Sequence, residues 1–339
     1  MTASSLAHAD IAVLGAGSWG TALAIQFARA GRPARLWGHD RSHVAAMARE
    51  RSNSRYLPRV SFPDSLHLLD SLEAAVDGVN DVLLAVPSHG FRELLKLLKP
   101  LLPGSIRLCW ATKGFELDSG QLPNQVAHEV LGPGRSVAVL SGPTFAAEVG
   151  RGLPTAMTIA SPDADYAEKL ARDLSSSSFR AYTSTDITGV EVGGAVKNVL
   201  AIGAGLSDGL GFGANTRIAL ITRGLVEMTR LGVALGAQRE TFMGLAGLGD
   251  LVLTCTDDHS RNRRFGLALA KGASVPSALE AIGQVVEGYQ AARALRVVAM
   301  RENVVMPIAE GIYGVLYEQL AVEQVVQGLM LRPIKPEFD

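Results

Sequence analysis

The sequence predicts an α/β fold, with a helix-covered parallel sheet in its first half and a helical region after it. Three observations predict this. Apolar runs of strand length alternate with helix-compatible stretches as far as Ala160, a glycine-rich turn sits between the first run and the first helix, and no period-2 strand pattern follows Asp186–Glu191. Continuous apolar strands separated by helices belong to parallel sheets buried on both faces.

The strand runs are Ile11–Leu14, Ala34–Trp37, Val82–Val86, Ile106–Ala111, Val137–Leu140 and Thr155–Ala160. Thr21–Ala30 and Phe91–Leu98 are the clearest intervening helices, and Pro58, Pro63, Pro87, Pro100 and Pro103 fall at turns or element edges. In the second half Ile218–Leu231, Val286–Ala299 and Ile308–Tyr317 read as helices, the last opened by Pro307 at its first position. The boundary is expected near residue 190, giving a dinucleotide-binding domain over 1–190 and an all-helical domain over 191–339. The tail "LRPIKPEFD" reads as loosely held.

Bulk composition narrows the function classes. The chain has 339 residues, 47% of them hydrophobic and 19% charged, with a formal net charge of -1. No global field would draw it to nucleic acid or anionic lipid. Its two cysteines, Cys109 and Cys255, sit among apolar or small residues and read as buried free thiols, which suits a cytoplasmic protein. The N-terminus lacks a basic segment followed by an apolar one, so no signal peptide is expected. Val192–Gly213 is the most membrane-like stretch, but Lys197, Asn198 and Asp208 within it favour a buried core helix over membrane insertion.

Gly15, Gly17 and Gly20 follow a strand and open a helix in G-x-G-x-x-G spacing, with Gly31 ending that helix and "ARLW" supplying the next strand. That context is what a dinucleotide fingerprint requires. Gly15 permits the tight turn, Gly17 close approach of a pyrophosphate and Gly20 close helix–strand packing. The next strand ends "LWGHDR", where Gly38 and His39 precede Asp40. An acidic residue is not immediately at the ribose 2′ position, so NAD and NADP both remain open.

Lys113, in "WATKGFE", and the turn "SGPT" each follow a strand, where open sheets bind ligands. Lys197 and Asn198 are polar positions in a helix of small apolar residues. Burial there lowers a lysine's pKa toward neutrality, and a second cation such as Lys113 would lower it further. Lys197 is therefore a candidate proton donor and acceptor. "AGLGDLVLTCT" adds Asp250, expected in a loop, and Thr254. "SRNRRF" puts three arginines within four residues at an expected helix start, where an anion finds free N–H groups.

These segments together resemble the bacterial NAD(P)-dependent glycerol-3-phosphate dehydrogenases. The resemblance is carried by "GAGSWGTALA", "VPSHGFRELL", "WATKGFE", "SGPTFAAEV", "GGAVKNVLAIGAGLSDGLGFGANTRIALITRG", "GLAGLGDLVLTCTDDHSRNRRFG" and "GQVVEGY", from about Ile11 to Tyr289. It implies a Rossmann-type parallel-sheet domain followed by an all-helical substrate domain, a homodimer, and a role in phospholipid precursor synthesis. By matching position, Ser18, Trp19, His39, Lys113, Ala146, Arg261, Val285 and Glu287 would contact NADH or NADPH. Lys113, Gly142, Thr144, Lys197, Asp250, Ser260, Arg261 and Asn262 would contact a small phosphorylated substrate. Lys197 would be the acid/base residue, with Asn198 and Thr254 close to the reaction. Arg263 and Arg264 gain no such role and read as a solvated face, Arg264 alternatively pairing with an acidic neighbour. Two rivals share some of these features: a 6-phosphogluconate or hydroxyisobutyrate type of dehydrogenase, and a non-catalytic dinucleotide sensor.

Overall fold

A computed structural model describes residues 10–334 and 336–337. The N-terminal segment read for a signal peptide, and Lys335, Phe338 and Asp339 of the tail, lie outside the described residues. The strands are β1 (Ile11–Leu14), β2 (Ala34–Trp37), β3 (Ser52–Asn53), β4 (Leu57–Ser61), β5 (Leu66–Leu69), β6 (Asp81–Leu84), β7 (Arg107–Trp110), β8 (Val137–Ser141), β9 (Thr155–Ala160) and β10 (Phe179–Ser184). Eight of them form one sheet in the order β10-β9-β8-β7-β6-β1-β2-β5, and β3 pairs with β4 in a separate hairpin.

From β5 to β8 the sheet is parallel, with β1 at its centre flanked by β2 and β6. The chain winds one way from β1 and then the other from β6, and the crevice beyond their carboxyl ends is where ligands of such sheets bind. Each of the six expected strands is present within a residue or two. The expectation of a purely parallel sheet is corrected at one pair, since β9 runs antiparallel to β8. The cause is a short connection: the helix Ala146–Arg151 spans roughly 9 Å, too little to return the chain along a strand of roughly 17 Å. It reverses at Gly152, which is left-handed at φ 76°.

Helices take over at Ile187–Gly209, whose first turn is capped by Asp186 accepting from Gly189 N at 2.8 Å. This helix is buried over nearly its whole length, as its apolar composition requires, and it forms the axis of the second core with Ala214–Ala234, Arg261–Ala270 and Glu287–Arg301 packed around it. Cys109 and Cys255 are buried free thiols, the first in a core against the sheet and the second in the helical core.

Candidate active site

The glycine turn has the geometry its spacing implies. At φ 121° Gly15 turns tightly against β6, where an added Cβ would lie 2.7 Å from the Ala85 carbonyl oxygen, and Gly20 packs directly on the Gly15 carbonyl. Nothing lies within 4 Å of where a Gly17 Cβ would be. That open cradle heads the helix Ser18–Arg29, whose Gly17 cap has no side-chain bond, so N–H groups and the positive dipole end face outward. Beside it the Trp19 indole N–H is buried without a partner among the described residues. An unbonded buried donor costs about 1–3 kcal/mol and marks a position where a ligand acceptor fits. A dinucleotide therefore suits these residues. His39 is exposed at the end of β2. Asp40 is turned away to cap the next helix, its Oδ1 accepting from His43 N at 3.1 Å and Ser42 Oγ at 2.6 Å.

The chemical centre bridges the two halves of the chain. Lys113, in the loop after β7, donates to Asp250 Oδ2 at 2.7 Å. Lys197, in the middle of the long buried helix, donates to Asp250 Oδ1 at 2.5 Å and to Thr254 Oγ1 at 3.1 Å. Thr254 lies one turn after Asp250, and its hydroxyl donates to the Asp250 carbonyl at 2.5 Å. Asp250 is not in a loop as expected; it is the first residue of the helix Asp250–Thr256, delivered by a single wide π turn over Leu245–Gly249.

Burial pulls Lys197 down to about 8; the Lys113 charge adds to this and the Asp250 carboxylate opposes it. For Asp250 burial acts upward, but the two ammonium groups outweigh it and hold the carboxyl below its usual range. The resulting trio carries two cations on one anion, with Lys197 near neutrality.

Ser260 caps the helix Arg261–Ala270, its Oγ accepting from Arg263 N at 3.2 Å. The arginines are not equivalent. Arg261 and Arg264, three apart and on one helix face, line the cavity, and among the described residues neither pairs with a carboxylate. Arg263 points the other way and is only 9% exposed, bonded to Asp208 and Asp258, so its solvated-face reading is corrected. The error arose because the carboxylate that buries it is 55 residues away in sequence. Asn262 donates to Asn198 Oδ1 at 2.9 Å and accepts from Gly288 N at 2.9 Å, while Asn198 donates to Glu287 Oε2 at 3.1 Å.

These groups meet around one cavity of about 440 Å³. Ser18, Trp19, Lys113, Thr144 and Ala146 line it from the sheet side. Lys197, Asn198, Asp250, Thr254, Ser260, Arg261, Asn262 and Glu287 line it from the helical side. Val285 borders an adjoining crevice with Pro87, Ser88, Lys113, Asn198 and Glu287. Gly142 lies behind the wall at φ 152°, packed on Met157, and its carbonyl accepts from Thr144 Oγ1 at 3.2 Å. His39 is not among the lining residues of the cavity.

Sequence reasoning missed Tyr56, Arg59, Phe145, Arg151, His259 and Gln284, which also line the cavity. Tyr56 and Arg59 belong to the β3–β4 hairpin, tied to the glycine turn by Asn53 Nδ2 donating to the Ala16 carbonyl at 3.0 Å. A hairpin of two and five residues leaves almost no periodic signal. Phe145, His259 and Gln284 lie within the quoted motifs but were given no role there, and the Phe145 and His259 ring centroids lie 5.5 Å apart across the two halves.

Comparison with known proteins places these features in context. Residues 10–167 match the family described as NAD-dependent glycerol-3-phosphate dehydrogenase N-terminus, and residues 186–327 match its C-terminus. The glycerol-3-phosphate dehydrogenase (NAD(P)+) of Aliivibrio fischeri is 55% identical over 333 residues, covering 97% of each chain. That of Klebsiella pneumoniae subsp. pneumoniae is 55% identical, covering 97% of this chain and 98% of its own. A crystal structure of glycerol-3-phosphate dehydrogenase from Coxiella burnetii superposes with a TM-score of 0.92 at 46% identity, covering 96% of this chain and 99% of that one.

Proposed function

The chain belongs to the NAD-dependent glycerol-3-phosphate dehydrogenase family, and we infer from that membership and its site that it interconverts dihydroxyacetone phosphate and sn-glycerol 3-phosphate with NADH or NADPH. The observation that carries the mechanism is the Lys113–Asp250–Lys197 bridge in the cavity that also holds Ser18, Trp19 and the Ser260–Asn262 turn.

The bound cofactor supplies or receives the hydride at C2. The chain's residues do the rest. The Gly15–Gly17–Gly20 turn with Ser18 and Trp19 seats the pyrophosphate, and His39, Ala146, Val285 and Glu287 contact the remaining cofactor. Lys113 touches both cofactor and substrate, as does Arg261. Gly142 and Thr144 border the substrate. Ser260, Arg261 and Asn262 take its phosphate through a hydroxyl, a charged fork and an amide, with helix-start N–H groups beside them.

As hydride reaches C2, charge grows on the carbonyl oxygen. Lys197, held near neutrality, gives that oxygen a proton and takes it back in the reverse direction. Asp250 orients both ammonium groups, and Thr254 fixes the rotamer of Lys197. Asn198 ties Lys197's neighbourhood to Glu287 and Asn262. The enzyme acts as a cytoplasmic homodimer supplying phospholipid precursors. Exposed Ile218, Val305, Met330 and Leu331 offer apolar surface for pairing, which light scattering of the purified protein tests.

Oxidation of NADH and of NADPH, each with dihydroxyacetone phosphate, tests the reading. Both sustain turnover, because Asp40 is committed to its own helix cap and leaves the ribose 2′ position without a dedicated carboxylate. Strict dependence on one cofactor refutes this view of His39–Asp40, and turnover with neither refutes the function.

A further inference from the structure

The substrate's two ends are handled by separate elements: its carbonyl by Lys197 on Ile187–Gly209, its phosphate by Ser260–Asn262, the cap and first two residues of Arg261–Ala270. Their separation must match one short molecule. The two helices touch backbone to backbone, since the Arg263 carbonyl occupies the space a Gly205 side chain would need. Backbone contact fixes the helix axes and Asn262 is bonded to Asn198, but Asp257–Ser260, which leads the chain into the helix cap, hangs between Thr256 and Arg261.

Arg263 spans that gap. Its Nε and Nη2 donate to Asp208 Oδ2 at 3.2 and 2.7 Å, and its Nη1 donates to Asp258 in the turn. Asp208 is itself held by Arg217, whose Nη1 reaches both carboxylate oxygens at 3.0 Å. Asp208 lies eleven residues after Lys197 on the same rigid helix, about 16 Å along its axis. The turn gains its own stiffness from Asp257, whose Oδ1 accepts from His259 N at 2.7 Å and whose carbonyl accepts from Ser260 N at 3.1 Å.

We propose that Arg263 is a positioning residue which, by clamping Asp258 to Asp208, fixes the distance from the phosphate-binding turn to Lys197 and so adapts the site to its three-carbon phosphorylated substrate. It touches neither substrate nor cofactor. The proposal rests on Ser260–Asn262 receiving the phosphate, as argued above.

The test compares kcat/KM for dihydroxyacetone phosphate with kcat/KM for phosphate-free dihydroxyacetone, alongside NADPH affinity and Tm. Asp258→Ala is the first variant, because Asp258 is 82% exposed and its removal leaves the core intact. Arg263→Met and Arg263→Lys follow; Arg217 remains on Asp208 in both, so no buried carboxylate is stranded. A displacement of about 1 Å costs on the order of a hundredfold. Arg263→Met therefore lowers kcat/KM for the phosphorylated substrate by at least tenfold, Arg263→Lys restores part of it, and Asp258→Ala gives a smaller loss in the same direction. Turnover of dihydroxyacetone and NADPH affinity stay within about twofold. Equal losses on both substrates, or no loss in Asp258→Ala and Arg263→Lys, overturn the proposal. Should Arg263→Met not fold, those two variants decide alone. Arg261→Ala separates the layers: if it also leaves the ratio of the two substrates unchanged, the phosphate reading itself has failed; if it alone changes the ratio, only the positioning role has.

Discussion

Asp250→Asn isolates the electrostatics of the site. The amide keeps the shape and one acceptor but removes the charge that Lys197 and Lys113 share at 2.5 and 2.7 Å. On the proposed proton transfer Lys197 carries its proton to reduce the ketone, so reduction runs below its pKa of about 8 and fades above it. The Asp250 carboxylate favours the charged lysine, whereas burial and Lys113 disfavour it. Without the carboxylate the alkaline limb of reduction must move to lower pH. A unit charge at about 4 Å and an effective dielectric near 20 is worth roughly 4 kcal/mol, or about three pH units at 1.36 kcal/mol each. Lys113 keeps some solvent contact, so this is an upper bound and two units are enough to decide the matter. For a two-unit shift kcat for reduction falls roughly 25-fold at pH 7.5, and most of it returns near pH 5.5. The assay is kcat for dihydroxyacetone phosphate at saturating NADPH from pH 5 to 9, with Tm recorded at each pH. A limb that stays at about 8, or moves upward, refutes the argument whatever happens to the absolute rate.

Lys197→Met removes the proton while keeping volume, and kcat falls roughly 10²–10⁴-fold with NADPH affinity by fluorescence titration unchanged; retention of more than a tenth of kcat removes Lys197 from proton transfer. In the oxidative direction the wild type needs neutral Lys197, so glycerol 3-phosphate oxidation rises through about pH 8 where reduction falls, and parallel pH profiles in the two directions contradict this. Arg261→Ala lowers kcat/KM for dihydroxyacetone phosphate tenfold to over a hundredfold, as a charge-assisted hydrogen bond of about 1.5–3 kcal/mol implies, and affects dihydroxyacetone much less.

What was legible in the sequence follows the range of the forces involved. The glycine turn is local: Gly15 takes a left-handed φ and Gly20 packs on the Gly15 carbonyl within the same strand–turn–helix unit, apart from the contacts to Ala85 and Val86, while Gly17 leaves space open for a ligand. Lys197 and Asn198 stood out because polar residues in a small-residue apolar helix need partners, whatever those partners are. β5 and β10 were not legible because edge strands carry half a pattern; β10 is buried at Phe179 and exposed at Arg180 and Tyr182, with polar residues ending it. The direction of β9 depended on the length of a six-residue helix. Arg263 was misread because its fate is settled by Asp208, and no local pattern separates it from Arg261 and Arg264.

The composition of Ile187–Gly209 shows why the site is built at some expense of helix stability. A glycine in a helix interior costs about 1 kcal/mol relative to alanine. Yet Gly193 lies where any side chain would strike the Ala246 carbonyl, in the turn that delivers Asp250, and Gly205 where it would strike the Arg263 carbonyl. Larger residues at these two positions would push outward the segment carrying the lysine's counter-ion and the segment carrying the anion turn. Lys197 lies between them in sequence, so its distance to the counter-ion segment and to the axis of Arg261–Ala270 is set by backbone contact, which has no rotamers to relax, and the lead-in to the anion-binding cap is left to the Arg263 clamp. A hydrogen bond of 2.5 Å from Lys197 to Asp250 therefore depends on a missing methyl group one turn before the lysine as much as on the two charges themselves.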